Sequence, residues 1–425
     1  MSTKQSPIKF STDELMEVID VFNVSADSAR RIRAILDADP QRPDAGNFFR
    51  YYNPRSKTEQ FEKMVREKVG SKHVLAVNSG TSALVAALVA AGIGPGDEVI
   101  VPAYTFFASA SAVVVAKAIP VITEIDESLT LDPAAVERNI TPRTKAIMPV
   151  HMIGLPAKMD ELRAIAAKHK IKIIEDAAQA FGGSYKGKYL GTIGDLGCVS
   201  LDAYKIIATG EGGLVLTDDE WLYTRAQSYH DAAACWRPDR YARERRPGEL
   251  FCGENYRMPE LCGAVGIAQI KKLDGITKER RAEWKHLRAE VRLPSCAKWA
   301  ECNDPDGVCG TNLGILFETA EQNVGAITAN IGLGGLAAGD TKGVRDWHVY
   351  WNWEQILERK GATEDGCPYT CPHVVKLPDY SVDMCPRTKN IMRRLATCKI
   401  EPGYDADATA QRAAKMTADL KTLFG

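Results

Sequence analysis

From about Lys72 the chain alternates short continuous apolar runs with stretches whose apolar residues recur at helical spacing. His73–Val77, Glu98–Val101, Pro120–Ile122, Ala146–Val150 and Ile171–Glu175 predict strands, because each is short, apolar and closed by turn-forming residues. Between them Thr81–Ala91, Ala108–Ala118, Pro133–Asn139 and Met159–His169 predict helices, the first with Leu84, Leu88 and Ala91 on one face. Cys198–Leu201 and Gly212–Thr217 continue the strands, and Asp219–Ala232 the helices. Strand–helix alternation at this period predicts an α/β fold with parallel strands joined by crossover helices. Strands without an apolar–polar alternation fit a sheet covered on both faces.

The same pattern divides the chain. Residues 1–55 predict an N-terminal helical segment opened by the capping box Ser11-x-x-Glu14. Residues 56–275 carry the alternation and predict a large domain. Residues 276–425 begin with the charged helical stretch Lys278–Arg292, become loop-rich and cysteine-bearing through Cys296–Gly310, and finish in the amphipathic stretch Asp407–Leu423, so they predict a smaller second α/β domain.

Composition narrows the function classes. With 425 residues, 45% hydrophobic and 26% charged, the chain is an ordinary globular one of two or three packed units. Its 54 basic residues against 55 acidic ones give a net charge of −1, which leaves no basic excess for a nucleic-acid backbone or an anionic membrane. The apolar stretch Ala83–Gly94 is too short to span a bilayer, and Met1–Leu15 has no apolar signal core, so a cytoplasmic location is expected. Eleven cysteines, an odd number, read as free thiols. Cys367-x-x-x-Cys371 with His373 lacks the second knuckle of a structural zinc site, and no metal is expected.

Three short runs carry the chemistry. Asn78-Ser79-Gly80-Thr81-Ser82 lies between a predicted strand and helix, where free N–H groups at a helix N-terminus suit a phosphate, although a plain N-cap is the simpler alternative. Asp176, in Glu175-Asp176-Ala177-Ala178-Gln179, stands at the carboxyl end of a strand, the edge at which open α/β sheets bind ligands. Lys205, in Ser200-Leu201-Asp202-Ala203-Tyr204-Lys205, follows another strand and precedes Thr209-Gly210-Glu211-Gly212-Gly213. A phosphate cradle, a strand-end aspartate and a lysine, in that order, are the parts pyridoxal phosphate requires. Walker-type and GxGxxG loops are absent from the sequence.

These runs, with Pro95-Gly96-Asp97-Glu98-Val99-Ile100 and Asn255-Tyr256-Arg257-Met258, resemble the DegT/StrS-type sugar aminotransferases over about Arg50–Asp274. The resemblance implies pyridoxal-phosphate fold type I, with a mixed, mainly parallel central sheet, and a homodimer with a shared active site. It implies amino transfer from glutamate or glutamine to a nucleotide-linked keto-sugar, a keto-deoxy sugar acid or a keto-cyclitol. Position by position, Lys205 resembles the Schiff-base lysine, Asp176 the partner of the pyridine nitrogen, and Gln179 the residue near the 3-hydroxyl. Gly80, Thr81 and Ser200 match the phosphate contacts, Phe106 the aromatic that stacks on the ring, and Asn255 the asparagine that reaches the partner subunit's phosphate. Tyr256, Arg257 and His348 are the candidate substrate residues.

Leu201 and Pro259 depart from the family pattern at positions that should not touch the chemistry. The run Asp346–Trp353 resembles a branch acting on an eight-carbon keto-deoxy sugar acid. Two alternatives stay open: a non-catalytic cofactor-binding regulator, and a related pyridoxal-phosphate sugar dehydratase whose lysine is replaced. Lys205 and the absence of a basic helix weigh against them.

Overall fold

The computed structural model describes residues 10–39, 55–233, 242–335, 345–401, 403 and 405–425. Cys235 and most of the linker between the N-terminal helices and the large domain lie outside them. The chain opens with α1 (Thr12–Asp20) and α2 (Ala26–Ala38), and the Ser11–Glu14 capping box is formed as expected. After α3 (Lys57–Val69) come β1 (His73–Val77), α4 (Gly80–Ala90), β2 (Glu98–Pro102), α5 (Ala108–Val115), β3 (Ile119–Thr123), α6 (Pro133–Asn139) and β4 (Thr144–Ile147). The course continues with α7 (Met159–His169), β5 (Lys172–Asp176), the small hairpin β6 (Ser184–Tyr185) and β7 (Lys188–Tyr189), then β8 (Leu196–Ser200), β9 (Gly213–Thr217) and α8 (Glu220–His230).

Among the described residues the central sheet has seven strands in the order β1-β9-β8-β5-β4-β2-β3. β9 is antiparallel to both its neighbours and every other adjacent pair is parallel, so the sheet is mixed and mainly parallel. The carboxyl ends of β1, β5 and β8 therefore open on one edge, and the start of β9 joins them there. That edge is where the loops of an open α/β sheet meet a ligand.

Both faces are covered. On one side α4 and α5 pack over Leu75, Val99, Val101 and Ile174. α4 is apolar almost all round, which matches burial on nearly every face. On the other side α3, α7 and α9 (Glu260–Ile270) pack over Val74, Ile100, Ile147 and Leu214.

The long helix α10 (Leu273–Glu290) leads to a three-stranded antiparallel sheet of β10 (Ala297–Trp299), β11 (Asn312–Phe317) and β12 (Leu395–Lys399). Trp284, Leu313, Phe317, Met392 and Leu420 fill its core. The middle of the stretch between β11 and β12 leaves this sheet: Tyr350, Trp353, Ile356, Tyr369 and Tyr380 pack into the α4–α5 side of the large sheet, while Ile327 and Ile391 at its two ends stay with the small one. Among the described residues no helix is long and apolar enough to cross a membrane, and the ten described cysteines are free thiols.

Candidate active site

At the carboxyl edge of the large sheet lies a cleft of about 860 Å3, walled by the α4 N-terminus, β5, β8, the loop after β8 and parts of the small sheet. Its lining joins Gly80, Thr81, Phe106, Asp176, Gln179, Ser200, Lys205 and His348. Asn255, Tyr256 and Arg257 are not part of it.

The cradle is built by close approach. Ser79 is the N-cap of α4, its Oγ accepting from Ser82 N–H at 3.0 Å, which leaves the Gly80 and Thr81 amides without a partner in the helix. The N-cap alternative is thus formed, by Ser79. A Cβ on Gly80 would stand 2.6 Å from Ser200 Cβ, so glycine is what lets the helix end meet the end of β8. No acidic side chain lies in the first turn of α4, and the helix dipole there favours an anion.

Asp176 ends β5 and is almost fully buried. Its Oδ2 accepts from Ser109 Oγ at 2.7 Å and its Oδ1 from Ala178 N–H at 3.0 Å. Ser109 in turn is 2.7 Å from Thr105 Oγ1. The carboxylate is therefore aimed and held from α5, a helix whose other residues are mostly apolar. The neighbouring carboxylate, Glu175, serves the scaffold instead, accepting from Gly191, Ile193 and Gly194 N–H and from His151 Nε2, all on the buried side. Because His151 Nδ1 accepts from Ala157 N–H, the ring proton is on Nε2.

Lys205 sits in a loop stapled at its base by Leu201 N–H to Gly212 O, 2.8 Å, and Thr209 N–H to Leu201 O, 2.9 Å. Asp202 shapes the tip, its side chain accepting from Tyr204 N–H and its carbonyl from Lys205 N–H, both at 2.9 Å. The Lys205 side chain is half-buried and, among the described residues, makes no ion pair or side-chain hydrogen bond. A lysine held in a cleft without a carboxylate partner is unusual for a structural cation.

Gln179 Oε1 accepts from Ile153 N–H at 3.0 Å. Ile153 holds a left-handed backbone (φ 47°), a costly conformation for a β-branched residue, on the wall of the cleft. Phe106 is 49% exposed, so it is not a core phenylalanine, and its ring lies 5.3 Å from that of His348. His348 arrives because Trp347 and His348 carbonyls accept from Phe107 and Thr105 N–H, both at 3.0 Å. Asp346 fixes its ring through Nδ1 at 2.7 Å. Burial raises the Asp346 carboxyl, and the hydrogen bonds from His348 outweigh this and leave it below its ordinary value.

The remaining candidates lie beside the cradle. Asn78 N–H donates to Tyr256 O at 2.8 Å, Arg257 bridges to Val77, and the Arg257 guanidinium is engaged by the fully buried Asp231. Asn255 is exposed. Ser109, Arg280 and Lys399 are cleft residues that sequence reasoning missed. Ser109 carried a signal, a hydroxyl four residues after Thr105 in an apolar helix. Arg280 sits among other charges and looks like one of a solvated face.

The sequence profile of the DegT/DnrJ/EryC1/StrS aminotransferase family matches residues 49–306, more than half of the chain. The chain belongs to this family. GDP-perosamine synthase of Caulobacter vibrioides is 42% identical over 240 residues, covering 55% of this chain and 59% of that protein. L-glutamine:2-deoxy-scyllo-inosose aminotransferase of Micromonospora echinospora is 41% identical over 218 residues, 49% of this chain and 51% of that one. The chain thus spans less than two thirds of the length of these relatives. Among solved structures, an aminotransferase from Psychrobacter cryohalolentis superposes with a TM-score of 0.70 at 26% identity, over 87% of this chain and 92% of that one. The 3-amino-5-hydroxybenzoic acid synthase superposes at 0.68 and 27%, over 86% and 91%. The DegT/DnrJ/EryC1/StrS fold is the pyridoxal-phosphate fold type I expected from the sequence, down to its mixed sheet.

Proposed function

We propose that this chain is a pyridoxal-phosphate-dependent aminotransferase that moves an amino group from glutamate or glutamine to a keto-sugar, keto-cyclitol or keto-deoxy sugar acid in amino-sugar biosynthesis, working in the cytoplasm as a homodimer. The observation that carries this reading is the convergence, in one cleft, of a lysine amine unpaired among the described residues, a buried strand-end carboxylate and a helix N-terminus with free amides. The residues fit the cofactor: the close approach at Gly80 leaves amides free for a phosphate, and Lys205 Nζ is open to a carbonyl. The names of the relatives supply the sugar, the cyclitol and the glutamine.

When bound, the cofactor supplies a ring that spreads negative charge away from a substrate carbon. Gly80, Thr81 and Ser200 would hold the phosphate, Phe106 a ring face, and Gln179 the ring's hydroxyl edge. Asp176, oriented by Ser109 and Ala178, would keep a proton on the ring nitrogen. Lys205 Nζ would accept the proton leaving the donor's α-carbon and return one to the acceptor's carbon. Asn255, exposed beside the cradle, would reach the phosphate of a second copy, and Tyr256 and Arg257 would border its substrate.

The test is spectroscopic and chemical. Purified protein given pyridoxal phosphate is expected to be yellow, to change its visible absorbance on addition of glutamate or glutamine, and to lose turnover in Lys205→Ala. Normal turnover by that variant would overturn the assignment. A yellow protein inert to every amino donor would favour the regulator.

A further inference from the structure

One turn of the large domain is held by the small one. Met152–Gly154 lies between β4 and α7 on the cleft wall and puts two left-handed residues in a row, Ile153 at φ 47° and Gly154 at φ 79°. A β-branched residue resists a positive φ, so the conformation persists only because its surroundings impose it. Those surroundings are the approach to β11. Thr311 Oγ1 donates to Ile153 O, Cys309 N–H donates to Gly154 O at 2.9 Å, and the buried Ile153 side chain belongs to the small-sheet core that holds Leu313 and Ile315. A Cβ on Gly154 would lie 2.8 Å from Thr311 Oγ1 and 2.9 Å from Cys309 Cβ, so the two segments meet without slack.

The clamped turn directs its amide at a residue of the cleft. Ile153 N–H donates to Gln179 Oε1. A backbone N–H can only donate, so this contact decides the orientation of the side-chain amide: its oxygen is taken by the turn, and Nε2 is the end left over. Among the described residues Gln179 Nε2 makes no hydrogen bond, and Gln179 lines the cleft three residues after Asp176. An amide free to rotate would present oxygen and nitrogen alike; one fixed by Ile153 presents a donor. A donor suits a ring oxygen that carries negative charge, whereas an amide oxygen would repel it.

We propose that Thr311 is a positioning residue for the cofactor: through the left-handed turn at Ile153 it fixes the Gln179 amide with Nε2 as the end offered to the ring's 3-oxygen. The proposal rests on the aminotransferase reading and adds how the small domain reaches the ring, through one turn and one amide.

The test compares pyridoxamine phosphate with its analogue lacking the 3-hydroxyl, neither of which forms a covalent bond to a lysine amine. Both are titrated calorimetrically into the cofactor-free full chain. Wild type is expected to prefer the hydroxylated compound by about tenfold to a hundredfold, the size of one hydrogen bond to a charged group. Gln179→Leu is expected to abolish that preference. Gln179→Glu is expected to abolish it as fully, since a carboxylate still accepts from Ile153 N–H but has no donor to offer the ring. Thr311→Val, which removes the hydroxyl and keeps the shape, is expected to lose part of the preference, and Thr311→Ser to keep it. Because Thr311 acts through Gln179, Thr311→Val combined with Gln179→Leu is expected to lose no more than Gln179→Leu alone. A preference left at the wild-type value by Thr311→Val, effects of the two substitutions that add, or a preference retained by Gln179→Glu would each overturn the proposal. The Gln179→Glu arm holds whether or not Thr311→Val folds. Wild type that binds both compounds equally would also overturn the proposal and leave the aminotransferase reading in place. Failure of wild type to bind pyridoxamine phosphate at all would instead overturn that reading.

Discussion

In the proposed reading one carboxylate, Asp176, and one amine, Lys205, carry the chemistry, and Asp176 is aimed by Ser109 and Ala178. Asp176→Asn should fold normally and lose most activity, since a neutral amide cannot hold a proton on the ring nitrogen. Unchanged kcat would reduce Asp176 to a cap for Ala178 N–H. Ser109→Ala removes one of the two donors that aim it, and a smaller loss is expected, on the order of tenfold, with cofactor affinity nearly kept. Asp346 offers a pH test. Its carboxyl lies below its unfolded value, so it contributes stability that is present above the carboxylate range and lost as pH falls through the lowered value. The melting-temperature advantage of wild type over Asp346→Asn should be full at neutral pH and shrink below about pH 4. A constant difference at all pH values would show that the His348 contact does not depend on the charge.

At the scale of elements, the parallel strands and their crossovers are where local pattern and global fold agree. His73–Val77, Pro133–Asn139 and Met159–His169 occupy the residues the pattern predicts. The run Ala146–Val150 shifts to Thr144–Ile147, because Arg143 and Thr144 tie the strand's start to Glu98, while Val150 keeps only an isolated bridge to Asp176. The middle of the C-terminal third was not legible in this way. Its aromatic residues signal burial, but no periodicity says against which sheet, and the deciding contacts are long-range ones such as Tyr380 Oη to Pro120 O and Tyr350 N–H to Ala103 O. The run Asn78–Ser82 taken alone reads as a plain N-cap, which Ser79 forms, and the phosphate expectation comes only from its order with Asp176 and Lys205 along the chain. Gly80→Ala tests it: the Cβ must push the helix end off Ser200, and a loss of about 1–3 kcal/mol in stability is expected together with a cofactor affinity reduced more than tenfold. Wild-type affinity would show that the junction is not where the phosphate binds.

At the scale of the whole molecule, Asn255, Tyr256 and Arg257 lie near the N-terminus of α4 yet outside the cleft of the same chain, the placement that the proposed shared site calls for. Co-expressing Lys205→Ala with Asn255→Ala chains should recover part of the activity, because one of the two sites in a mixed dimer receives both intact residues. No recovery, or a fully active monomer by light scattering, would confine Asn255 to a local loop.

Amino transfer is tested most directly by following the nitrogen. The loaded protein, incubated with isotopically labelled glutamate or glutamine and a panel of keto-sugars and keto-cyclitols, is assayed by mass spectrometry for labelled amine in the sugar product. Label is expected in at least one acceptor, with the matching keto acid formed from the donor in equal amount and neither product with Lys205→Ala. Label transfer that survives in Lys205→Ala, or loss of a hydroxyl from the sugar with no nitrogen gained, would contradict the aminotransferase assignment.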